Sequence, residues 1–322
     1  MKELLVGSSF ALPHMNNQTN LYMRVRLVIF VLAFLMVTPL FAQTYTFKVL
    51  VSKGKTEVKA ADSWQMIKVG ASLKSTDEVK VGENAYLGLI HANGKPLEVR
   101  EAKTYKVSDL VSKMTPGTSV ITKYTDFILS SQDQKKNRLT ATGAVHRDVV
   151  LVPKDVIIVF LPESEQSQLY GDHATIQWAT SNVKGPYEVI FTDLMGEELA
   201  KLETKEAFVS VPLDGDKFKN QSQIMVKVVA KEKRGAGSKD YILKRLKPAE
   251  RKKIDSVMTQ MDVKSMDQKL ALTKYVLAGL YEENLLLIDA LTAYREAAAL
   301  APDVELYKTA YEEFLTRMEF KK

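Results

Sequence analysis

From Tyr45 to Val107 the chain alternates in short apolar and polar runs broken by glycine. Side chains of a strand point to opposite faces in turn, so the runs Tyr45 to Ser52, Thr56 to Lys59, Glu78 to Val81, Tyr86 to His91, Pro96 to Arg100 and Thr104 to Val107 predict strands of a β-meander or small sandwich. Asn93-Gly94, between Leu89-Ile90 and Leu97-Val99, predicts a type I′ hairpin turn with positive φ at both central residues. Val120, Ile121, Tyr124, Phe127 and Ile128 then recur at helical spacing behind Thr118 or Ser119, which predicts a short capped amphipathic helix. Ser130 to Asp148 is polar and basic with no sustained period and reads as a linker.

Alternation resumes from about Val149. Ala174, Ile176 and Trp178 share a face, as do Tyr187, Val189 and Phe191. Val209 with Val211, Ile224 with Val226 and Val228, and Tyr241 with Leu243 repeat the pattern. Turn residues at Ser181-Asn182, Gly185-Pro186, Met195-Gly196, Asp214-Gly215 and Gly235 to Gly237 separate roughly seven short strands. After Pro248, which suits a first helical turn, the period becomes helical. Ile254, Val257, Met258 and Met261 form one stripe. Ala278, Ala290 and Ala297 allow two antiparallel helices to approach closely, Tyr281 and Tyr294 fill the space between them, and Pro302 ends the second. A further helix, Val304 to Phe320, offers Leu306, Ala310, Phe314 and Leu315 as a cover.

Three resemblances follow from these residues. Trp64, Ile67, Val69-Gly70, Asp77-Glu78-Val79, Ala85 to Leu89, Asn93-Gly94-Lys95 and Leu97-Glu98-Val99 together resemble an envelope FecR-type domain. The second strand set, with a tryptophan in an early strand, resembles an immunoglobulin-like or fibronectin type III-like sandwich, of a kind without a disulfide. Residues 271 to 304 are similar to a tetratricopeptide (TPR) repeat, with Leu285 where that family turns on glycine and Glu283-Asn284 expected to make the turn. One repeat gives only a small concave face, so the helical tail is expected either to pack on the preceding sandwich or to pair with another chain.

The expected fold class is therefore multidomain: two mainly-β, sandwich-like domains followed by an all-α helical-hairpin, TPR-like module. The expected organisation is 1–42 leader and signal peptide, 43–110 FecR-like β-domain, 111–148 helix and linker, 149–246 immunoglobulin-like or fibronectin type III-like β-sandwich, and 248–322 helical module. Arg24 and Arg26 ahead of the apolar run Leu27 to Val37 read as a secretory signal peptide cleaved after Ala42, with the natural start at Met23. An uncleaved anchor is the alternative. Cleavage removes Lys2, Glu3, Arg24 and Arg26 and lowers the charge from +6 to +4. The product is expected to be periplasmic or secreted.

Charge this mild, with basic groups beside turn residues, argues against a nucleic-acid partner. The absence of cysteine from all 322 residues excludes thiol catalysis, disulfides and a lipid-modified cysteine. His91, His146 and His173 lie in no ligand spacing, and no metal or cofactor is expected. Gly235 to Lys239 lacks the spacing of a phosphate loop and reads as a turn. Glu197-Glu198, Glu282-Glu283 and Glu312-Glu313 are sequence neighbours, which splay about 100° apart on a helix, and read as solvated faces. No serine has a nameable histidine and carboxylate set, so no catalytic residue is assigned. Trp178, alternating with Ala174 and Ile176, reads as core, and Trp64 reads as an exposed loop residue.

The function expected from this inventory is a non-enzymatic envelope protein that contacts protein partners. The alternative is binding of a glycan or peptidoglycan fragment through the FecR-like domain at Trp64, His91 and Lys95. The membrane would be touched only through an uncleaved signal segment.

Overall fold

The computed structural model describes residues 45–60, 62–114, 155–162, 167–180 and 183–318. The signal segment, the expected helix at Thr118 to Ile128, the linker and His146 lie outside the described residues. The coarse layout is two sheet modules followed by a helical module.

The first module contains β1 (Phe47–Lys53), β2 (Thr56–Ala60), β3 (Ser63–Met66), β4 (Ser72–Leu73), β5 (Glu78–Val81), β6 (Tyr86–His91), β7 (Pro96–Val99) and β8 (Lys103–Lys106), followed by α1 (Val107–Ser112). Two four-stranded sheets, ordered β4-β1-β6-β7 and β3-β2-β5-β8, enclose Phe47, Val49, Leu73, Val79, Leu87 and Leu89. Strand β6 is buried on both faces: Leu87 and Leu89 enter this core, whereas Tyr86 and Ile90 enter the core of the helical module. The hairpin after β6 differs from the expected type I′ turn. His91 N–H donates to Lys95 C=O at 2.9 Å, Gly94 N–H donates to His91 C=O at 2.7 Å, and of the Asn93-Gly94 pair only Gly94 has positive φ, at 88°. This is a three-residue loop closed by a glycine bulge. Asn93 Oδ1 also accepts Lys95 N–H, which helps hold the loop without a left-handed asparagine.

The second module contains β9 (Gln168–Leu169), β10 (His173–Gln177), β11 (Tyr187–Thr192), β12 (Glu198–Thr204), β13 (Phe208–Pro212), β14 (Gln223–Ala230) and β15 (Tyr241–Arg245). A β10-β13 pair faces a five-stranded sheet ordered β12-β11-β14-β15-β9. The alternation predicted for β14 appears as strictly alternating burial. Trp178 is buried and meets Tyr187 edge-on at 5.1 Å between ring centroids. Gly235 to Lys239 is a turn in which Gly237 N–H donates to Asp155 C=O and Ser238 N–H to Val228 C=O.

The helical module comprises α2 (Pro248–Gln260), a 3-10 turn (Val263–Ser265), α3 (Ala271–Glu283), α4 (Leu287–Leu300) and α5 (Glu305–Arg317). Ala278, Ala290 and Ala297 are fully buried, as close helix approach requires, and Phe314 and Leu315 of α5 cover the α3–α4 pair. Tyr294 lies between Tyr275 and Phe314, its ring tilted to both. Tyr281 packs against the helical core and also lies 6.4 Å from the ring of Tyr170. Glu282 is not a solvated residue, because it accepts the Tyr294 hydroxyl at 2.8 Å and binds Arg317 at 2.7 Å.

The α3–α4 turn also differs. Helix α3 runs through Glu283, and Leu285 itself takes the left-handed conformation at φ 58°. Leu285 N–H donates to Glu282 C=O and Leu286 N–H to Tyr281 C=O, the two bonds of a Schellman cap. Among the described residues no helix is long and apolar enough to cross a membrane.

Candidate functional site

Helix α4 presents three polar side chains to the sandwich. Asp289, Thr292 and Glu296 are spaced three and four residues apart, so they stack along one face. Asp289, in the first turn, accepts the backbone N–H of Tyr170 at 2.8 Å and of Gly171 at 2.7 Å. Burial pushes its carboxyl up to about 6, and the two N–H bonds offset this only in part. Thr292 Oγ1 accepts Thr175 N–H at 3.0 Å while donating to Ile288 C=O. Ile288 enters the sandwich core itself. Glu296 joins His173 Nε2 at 2.7 Å and Lys274 Nζ at 2.9 Å. The bond to Glu296 holds His173 above its ordinary range despite the opposing effect of burial. Burial alone would raise Glu296, but its bonds to His173 and Lys274 prevail and leave it below its ordinary value.

These residues line a cleft of about 130 Å³ together with Gly171, Gln268, Leu277 and Tyr281. Both oxygens of Asp289 and both of Glu296 are occupied by donors within the protein. The arrangement therefore ties α4 to the chain from Tyr170 through β10 and, through Lys274, to α3.

A second joint ties the helices to the first module. The N-terminus of α3 has no side-chain cap of its own, and Glu98 of β7 supplies one across 174 residues by accepting Leu272 N–H at 2.7 Å. Tyr86 and Tyr307 share a buried hydroxyl contact, and Arg100 lies over the Tyr86 ring at 4.5 Å. Asp303 receives Lys53 at 2.8 Å and Arg100 at 3.3 Å.

The three residues expected to contact a ligand do not share one surface. Lys95 is only 4% exposed, and its Nζ lies 3.6 Å from Asp262 at the end of α2, so it serves the contact between hairpin and helices. His91 packs its ring edge-on against Phe47 at 5.1 Å and accepts Asn93 N–H through Nδ1. Trp64 belongs to the other sheet, and it lies in strand β3 instead of a loop. It is 37% exposed and Met66 on the same face is 57% exposed, with Lys80 5.9 Å from the indole. All four residues of β3 face solvent. The strand was not read from the sequence because an exposed strand has no buried face to give it an apolar period.

Of the joint residues, Asp289 has a sequence signal that could have revealed it: one acid inside the apolar run Leu285 to Leu291. A charge there is costly unless a partner is waiting. No protein-family model and no curated protein matches the chain.

Proposed function

We propose that the protein is an exported, non-enzymatic interaction protein of the cell envelope, with a FecR-like module, an immunoglobulin-like or fibronectin type III-like sandwich and a TPR-like module acting as one scaffold. The exposed strand β3, with Trp64 and Met66 side by side, is the observation that carries this reading. Large apolar side chains grouped at a sheet edge mark contact surfaces in folded proteins. Two features support it further. The carboxylates and cations of the cleft are engaged in holding α4 to the Tyr170–His173 segment and to α3. The helical hairpin, which in repeat proteins offers a groove to peptides, has its faces against the two β-modules.

A photoreactive side chain placed at Met66 in cells should give a discrete protein adduct, and one placed at the exposed Lys205 should not. Absence of an adduct from position 66 would overturn the reading. Glycan binding is a second reading, favoured by Lys80 over the Trp64 ring. With Lys95 buried it reduces to Trp64 and its neighbours, and it requires Trp64→Ala to lower the pull-down of cell-wall material.

A further inference from the structure

The β2–β3 ladder determines which backbone groups of β3 are in use. Ile67 N–H donates to Thr56 C=O at 2.9 Å, and the strands run antiparallel with Val58 opposite Gln65 and Ala60 opposite Ser63. Hydrogen-bonded pairs alternate along such a ladder. Ser63, Gln65 and Ile67 therefore turn their N–H and C=O toward β2, while those of Trp64 and Met66 point to the open edge. Among the described residues no backbone group pairs with them.

The outer strands of the three larger sheets, β3 aside, are blunted against such pairing. Strand β12 carries Glu198, Lys201 and Glu203, β8 carries Lys103 and Lys106, β4 and β9 are two residues long, and β7 opens on Pro96. Strand β3 reads Ser-Trp-Gln-Met, with neither charge nor proline.

We propose that β3 pairs antiparallel with β3 of a second copy of this chain, across a two-fold axis at Gln65. Residues facing one another across a sheet must point to the same side, and the free backbone groups belong to Trp64 and Met66. The register that satisfies both places Trp64 opposite Met66 of the second copy, and the reverse, with four N–H···O=C bonds. It brings indole against thioether twice, a favourable contact. Lys59 stands beside Trp64 on β2 and Glu57 beside Met66. Each row across the joined sheet thus reads Lys59, Trp64, then Met66 and Glu57 of the second copy, ending on opposite charges. The pairing extends the interaction reading above and rests on it.

The chain has no cysteine, so one introduced thiol reports the register cleanly. Gln65 faces its own counterpart in a non-hydrogen-bonded pair, where Cα atoms lie ~4.5 Å apart, within the span of a disulfide. Under mild oxidation Gln65→Cys should give a covalent dimer, and Asp62→Cys, far from its counterpart in this register, should not. In the cysteine-free chain, sedimentation should show a mass that rises with concentration. Met66→Lys should raise the dissociation constant about tenfold or more. Trp64 emission should shift on dilution while Trp178, in the core, stays constant. Equal cross-linking by the two cysteine variants, or a monomeric mass into the high micromolar range, would overturn self-pairing. If position 66 then still captures a different protein in cells, the interaction reading stands without it; if it captures nothing, both fall.

Discussion

The hydroxyl oxygens of Tyr86 and Tyr307 lie 2.7 Å apart in a buried contact between β6 and α5. Burial, first, raises both phenols, so each stays neutral and the bond is between uncharged groups. Such a bond contributes about 1 kcal/mol net. Either single phenylalanine substitution should lower stability by about that amount or somewhat more, since it leaves a buried hydroxyl with one partner fewer. The double variant should cost less than the sum of the two. Denaturant midpoints of the four proteins provide the check.

The α4–β10 joint predicts a pH dependence. Asp289 is raised from 3.8 to about 6, so the folded chain holds its proton more readily than the unfolded chain does. That contribution is fully present below the ordinary carboxylate value and is lost as pH rises through about 6. His173 is also raised and acts in the same sense, at higher pH. Glu296 is lowered, so its contribution is lost only as pH falls through its depressed value. Stability should be greatest in mild acid and fall by ~1.4 kcal/mol between about pH 5 and pH 8 on account of Asp289. In Asp289→Asn the curve should be flatter and lower throughout, because the amide NH₂ opposes one of the two backbone donors. Urea titrations across that range would measure both effects.

Gly171 has no room for a methyl group. A Cβ there would stand 2.8 Å from Asp289 Oδ1, part of a carboxylate whose two oxygens each accept one backbone N–H. Gly171→Ala should cost ~1–3 kcal/mol. It should also speed proteolysis at the sandwich–helix junction, whereas Gly215→Ala, with open space around it, should leave that rate unchanged.

Leu285 lies in the left-handed region with 64% of its surface exposed. A branched side chain in that conformation costs ~1 kcal/mol or more, which glycine avoids. The two Schellman hydrogen bonds come from the backbone and survive the change. Leu285→Gly should therefore raise the melting temperature, corresponding to about 1 kcal/mol. An unchanged or lower value in a thermal scan would show that Leu285 makes contacts that outweigh its strain.

What was legible in the sequence follows from burial. Strands β5 and β6 have the boundaries expected from alternation, and β14 alternates throughout, because each has at least one face in a core. The alanines of α3 and α4 were readable for the same reason. Strand β3 has no buried face, β4 and β9 are too short to show a period, and α1 begins at the Val107 that alternation assigns to a strand. The joints were hidden for a different reason. Tyr170, Gly171, Thr175 and Leu272 take part through backbone N–H groups, which every residue other than proline possesses. Only the acceptors, Asp289, Thr292 and Glu98, carry a side-chain signal, and their partners are more than a hundred residues away.

Glu98 caps a helix whose Leu272 lies 174 residues further along the chain. Synthesis proceeds from the N-terminus, so the strands bearing Tyr86 and Glu98 emerge long before Tyr307 and Leu272 exist to meet them. Until then Leu50, Tyr86 and Ile90 have no cover, and the last helices close that surface when they arrive. The C-terminal helices thus complete the core of the module made first, and a chain truncated before α3 would leave that apolar face open to its neighbours.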